Sequence, residues 1–165
     1  MDSTGTTPAP IALPPDPDGG EAGPRILTFT LGGRTHGCRL DGVREIVPGR
    51  PATRLPGAAS HVAGLLNLRG TVVTVIDLAA LLLPGRDARH DGHVVVVEVE
   101  GRLAGCRVDG VDRVVPAPPL DPPPAGGNAD HGGIVIGVGE VGGELVAVLD
   151  LIAAVRQTLL FPGER

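Results

Sequence analysis

The side chains with the most reactive potential are two cysteines, Cys38 and Cys106, and five histidines, His36, His61, His90, His93 and His131. Thiol chemistry needs an accessible, electropositive setting, and a zinc site needs three or four converging ligands. The local pattern supplies neither. Strand alternation puts Cys38 on a face with His36 and Leu40, and Cys106 on a face with Ala104 and Val108. Both thiols are therefore expected to point inward, at equivalent places in two different units, as free cysteines usually do. A disulfide between two separate cores is disfavoured. The "HDGH" run ending at His93 lies in a Gly-containing linker with no second ligand pair beside it.

Catalytic signatures are missing as well. The chain has no nucleophile elbow and no His-Glu-x-x-His helix, and "GGIVIGVGEVGGE" lacks the Gly-Lys-Ser/Thr ending of a phosphate loop. Nothing assembles a general acid, a base and an oxyanion site. The expectation is a protein without enzymatic activity, metal or cofactor.

One stretch is written twice. "GCRLDGVREIVP" begins at Gly37, and "GCRVDGVDRVVP" begins at Gly105. Between Gly33–Pro48 and Gly101–Pro116, ten of sixteen positions are identical without a gap. "VVTVIDLAALL" (Val72–Leu82) also matches "ELVAVLDLIAAV" (Glu144–Val155), with Asp77 aligned to Asp150. If both copies descend from one unit, shared letters record framework and differences record function. The first copy holds Glu45 where the second holds Arg113, and only the first has the turn Asn67-Leu68-Arg69-Gly70. Loss of an acid and an arginine together is what a Glu45–Arg69 pair predicts, because a guanidinium fork suits a carboxylate on the same chain or on a partner. The alternative is an exposed turn arginine contributing little.

The elements that position these residues read as strands. Of the 165 residues 42% are hydrophobic, yet Phe29 and Phe161 are the only aromatics, so the core must be built from Val, Leu, Ile and Ala. With 26 glycines and 17 prolines the chain is turn-rich, which suggests an all-β protein. "RILTFTL" alternates, and Gly32-Gly33 marks a hairpin. Asp77 and Asp150 are placed to cap short helical turns. Each copy then holds about five short strands, marginal alone but able to share a core with its twin.

Residues 1–24 carry six prolines and no basic residue, and cannot bury enough surface to order themselves. They read as a disordered tail or a partner-binding peptide. The expected organisation is a first barrel over about 25–83, a linker over 84–92, a second barrel over about 93–150 and a C-terminal helix over about 151–160. The formal charge of −5, and basic residues that are all arginines and dispersed, argue against a nucleic-acid partner. No run approaches the length of a membrane helix and no secretory signal opens the chain. A cytoplasmic protein is expected.

"VREIVP" followed by "LPGAASHVAGLLNLRGTVVTVIDL" resembles the CheW family of chemotaxis coupling proteins, and "GRLAGCRVDGVDRVV" and "LVAVLDL" extend the resemblance to about residues 25–156. The resemblance implies two SH3-like five-stranded β-barrels packed side by side. It also implies a non-catalytic scaffold linking the cytoplasmic tip of methyl-accepting chemoreceptors to the regulatory domain of the histidine kinase CheA. Receptor-binding positions carry over onto Val43, Glu45, Gly64 and Arg69, with Asn67, Leu68 and Gly70 completing the turn. A related adaptor serving a pilus-motility or developmental array is the alternative within the same fold.

Overall fold

The alternation that starts at Arg25 becomes a continuous run of strands. The computed structural model describes residues 23–83, 85–86, 91–123 and 132–160. The first half supplies β1 (Arg25–Leu31), β2 (Arg34–Arg39), β3 (Val43–Pro48), β4 (Val62–Leu68), β5 (Thr71–Asp77) and helix α1 (Leu78–Leu82). The second half repeats them as β6 (His93–Val99), β7 (Arg102–Val108), β8 (Gly110–Pro116), β9 (Val135–Val141), β10 (Glu144–Leu149) and α2 (Leu151–Val155). Of the expected C-terminal helix, α2 is α-helical and Arg156–Leu160 continue as a π-helical turn.

Local signals placed the turns and caps well. Gly32-Gly33 joins β1 to β2 with positive φ at both residues, a twist matching that of the flanking strands. Asp77 Oδ1 accepts from the Ala80 N–H at 3.0 Å, and Asp150 Oδ1 accepts from the Ala153 N–H at 3.0 Å. Each cap contributes about 1 kcal/mol by occupying an otherwise unpaired helical N–H.

The strands form two five-stranded sheets, as expected, but not one sheet per half. One sheet runs β8-β1-β2-β10-β9 and the other β3-β6-β7-β5-β4. Each sheet therefore combines the N-terminal hairpin of one half with three strands of the other, which corrects the division into barrels at 25–83 and 93–150. The exchange rests on β1 lying antiparallel to β8, β3 antiparallel to β6, and on two parallel pairings, β2 with β10 and β5 with β7. Parallel neighbours need long crossovers, so no hairpin signal could announce them. The linker residues 84 and 87–90, and residues 1–22 of the tail, lie outside the described residues.

Three apolar clusters follow from this weave. The largest lies between the sheets and draws Leu27, Phe29 and Cys38 from one half and Val95, Cys106 and Val108 from the other. A second fills the inside of the β3–β4 sheet with Val47, Leu66, Leu68, Val73, Val75, Val94 and others. A third, inside the β8–β9 sheet, has a buried heart of Ile26, Val146 and Val148. The exchange places the largest apolar mass where both halves contribute to it, so neither half carries a complete core alone.

Candidate functional site: the seam closed by Glu45 and Arg69

The hairpin between β4 and β5 turns on Arg69 and Gly70, both in the left-handed region, at φ 50° and 88°. A residue with a Cβ loses about 1 kcal/mol there, and two local contacts offset it. Asn67 Oδ1 accepts the Gly70 N–H at 2.9 Å, and the Arg69 guanidinium donates to Glu45 Oε1. Every letter of Asn-Leu-Arg-Gly thus has a physical reason. Asn67 ties the turn, buried Leu68 anchors it, Arg69 reaches out of it, and Gly70 supplies the second left-handed residue.

The position of the pair matters more than its strength. Strands β3 and β4 are opposite edges of their sheet, yet Glu45 on β3 meets Arg69 on the β4–β5 turn. Arg50, just past β3, also donates to the Asn67 carbonyl. The sheet is therefore curled until its edges face each other, and side chains rather than a strand ladder close the seam. Glu45 is 15% exposed and Arg69 54% exposed, so solvent screens the pair and its stabilising share is small. Glu45 Oε2 is buried without a hydrogen-bond partner, which leaves one acceptor beside an exposed cation. A cleft of about 480 Å³ opens here, lined by Arg50, Thr53, Leu65, Asn67, Arg69 and Gly70.

Asn67, Arg69 and Gly70 line this cleft, and Glu45 joins them through Arg69. Gly64 and Leu68 are buried, and Val43 is half-buried against the central cluster on the same strand as Glu45. Gly64 has a packing reason for being glycine: at φ 134°, a Cβ would lie 2.2 Å from the Thr53 carbonyl oxygen. Its counterpart Gly137 faces the Asp121 carbonyl in the same way, at 2.7 Å. The bridges Thr53–Leu65 and Asp121–Val138 complete the equivalence. Gly64 is thus shared framework, whereas the second half turns on Gly142-Gly143 with no side chain to present.

Two features escaped the sequence reading. Arg50 carries no motif and is found only through its contact. Arg107 is the largest fully buried side chain among the described residues and holds Asp77 with Nε at 2.8 Å and Nη2 at 2.6 Å. Asp109 stands 3.7 Å from Arg107 and 2.8 Å from Arg86, extending the ionic chain towards the linker. The aligned aspartates and the copied Gly-Cys-Arg were a usable signal, since the register places Asp77 opposite Arg107.

The cysteines are buried and free, but they belong to one cluster and not to two separate cores. Burial pushes the Cys38 thiol up to about 12, and burial with the neighbouring Cys38 pushes Cys106 up as well. Burial also lowers the pKa of His36 and of His61. His90 and His131 lie outside the described residues. Among the described residues no three metal-ligating side chains converge, and no helix is long and apolar enough to cross a membrane.

The sequence and fold have known counterparts. A family model described as CheW-like domain matches residues 25–158. The chain is 33% identical over 94 residues to the chemotaxis protein CheW of Rhizobium meliloti, covering 56% of this chain and 61% of that protein. It is 25% identical over 127 residues to the chemotaxis protein CheW of Helicobacter pylori, covering 76% and 77%. The match thus spans about three fifths of the Rhizobium relative's length. Among solved structures, the scaffolding protein TtCheW of Thermoanaerobacter tengcongensis superposes with a TM-score of 0.67 at 28% identity, covering 76% of this chain and 88% of that one.

Proposed function

The chain belongs to the CheW-like domain family, and from that premise we propose that it is a non-catalytic adaptor coupling chemoreceptors to the histidine kinase CheA in a chemosensory array. The relatives named as chemotaxis proteins and the scaffolding protein of like fold support this reading. The observation that carries it is the Glu45–Arg69 pair, held at a seam whose counterpart in the other sheet has no such ion pair among the described residues.

The receptor-binding surface is assigned to Glu45, Asn67, Arg69 and Gly70, with Val43 flanking them and Gly64 and Leu68 supporting the turn from below. An exposed guanidinium fixed by a half-buried carboxylate is pre-oriented, so a receptor helix loses little ordering entropy in meeting it. The kinase partner is its CheA regulatory domain, and the adaptor works in the cytoplasm, recruited to membrane receptors. Co-purification of a receptor's cytoplasmic fragment and of CheA with wild type and Arg69→Glu tests the assignment. Receptor is expected to be lost and CheA retained; normal receptor capture by a folded Arg69→Glu protein overturns the surface.

A further inference from the structure

The internal repeat provides a control for every residue it copies, and Arg39 behaves unlike its copy. Arg107 is buried by the chain entering β6: its Nη1 donates to the Asp91 carbonyl and lies 3.5 Å from Asp91 Oδ1. Gly92, next in line, accepts from the Gly49 N–H at 2.7 Å. The chain entering β1 follows the same path as far as Pro24, whose carbonyl accepts from Ala117 N–H at 2.9 Å, the equivalent bond. One residue earlier the paths differ in chemistry, because Gly23 stands where the copy has Asp91. Arg39 is left exposed, with no ion pair among the described residues, although Asp150 occupies the place equivalent to Asp77.

Below Arg39 the apolar filling also runs short. Among the described residues, the apolar cluster inside the β8–β9 sheet has three buried members and five half-buried ones, where that of the β3–β4 sheet has eight and two. The deficit is a crevice of about 800 Å³, lined by Ile26, Leu40, Leu120 and Val148, with Arg25, Arg39 and Asp41 among its polar lining. Gly23 and Pro24 line it too, so the described residues begin at its mouth. The preceding segment, residues 1–22, carries Ile11 and Leu13, then Asp16, Asp18 and Glu21, and no basic residue. Leu13 lies ten positions before Gly23, an extended reach of up to about 33 Å, and Gly19-Gly20 permits a reversal between them.

We infer that residues 11–22 dock back into this crevice, with Ile11 and Leu13 against Leu40, Leu120 and Val148 and the acidic side chains on Arg39. The segment does for Arg39 what Asp91 does for Arg107, using acids that lie further upstream. A proline-rich segment is suited to such docking, since its prolines reduce the entropy lost on ordering. The inference does not depend on the adaptor reading.

The test uses the full chain with a spin label on Ala12→Cys, because buried Cys38 and Cys106 take no label. At low salt the amide signals of Arg39, Leu40 and Leu120 are expected to lose most of their intensity. Arg39→Glu should restore them, and adding Asp16→Arg, Asp18→Arg and Glu21→Arg to that variant should broaden them again. The charge-swap rescue separates docking from a damaged fold. Intensity loss spread evenly around Gly23, or loss unchanged by Arg39→Glu, overturns the inference. So does a crevice whose signals respond only when a receptor or CheA fragment is added, which would assign it to a partner.

Discussion

Arg69 on the β4–β5 turn and Glu45 on β3 join the two edges of one five-stranded sheet, although four strand-to-strand steps separate those edges in the hydrogen-bonded order. The contact is short in space only because the sheet curls. It converts two residues of unrelated strands into one presented group, an exposed guanidinium whose direction is set by a less exposed carboxylate.

Reversing Arg69 should therefore act on binding and barely on folding. Arg69→Glu is expected to weaken receptor capture by roughly tenfold or more, with a melting temperature close to wild type. The swap Glu45→Arg with Arg69→Glu rebuilds the pair but points the wrong charge outward. It should fold and still fail to bind; a swap that regains binding would show that the pair matters only as a clasp.

The buried Arg107–Asp77 pair makes the opposite prediction. Arg107→Leu strands the Asp77 carboxylate in the interior and should cost about 3–5 kcal/mol, read as a lower denaturant midpoint. Arg39→Leu, the same letter in the copied motif, should cost under about 1 kcal/mol because its side chain is exposed. Equal losses would contradict the difference in burial.

Gly64→Ala forces a Cβ onto the Thr53 carbonyl and is expected to destabilise by roughly 3 kcal/mol. Gly137→Ala, its framework equivalent, should lose stability too, and this can be checked by thermal melts. If Gly64→Ala instead removed receptor binding at unchanged stability, Gly64 would be a contact and not a support.

Neither thiol should react with an aromatic disulfide reagent at pH 8 until the protein is denatured, when both should. Because burial raises their folded pKa, the folded state holds protons that the unfolded chain releases. Their stabilising share is complete below the unfolded value of about 9 and is lost as pH rises towards about 12. Denaturant midpoints should fall between pH 8 and pH 11, and Cys38→Ala with Cys106→Ala should flatten that slope.

What the sequence determined was local or repeated. Alternation named the strands, Gly-Gly named a hairpin, and the aligned aspartates named the caps, whereas β1 is buried on both faces. The joint change of Glu45 and of the Arg69 turn even identified a pair of residues in contact, because comparing the copies separates framework from difference. What the tertiary structure decided was which strands are neighbours. A period of two fixes the face of a strand and says nothing of who lies beside it. The exchange of hairpins between halves, the single core holding both cysteines, and the curl that closes the seam all depend on pairings across long crossovers. Arg39 and Arg107 make the point most simply: the same residue in the same copied phrase is exposed in one sheet and buried in the other. The difference comes from the segment packed over it, since burial is a property of surroundings that no local pattern encodes.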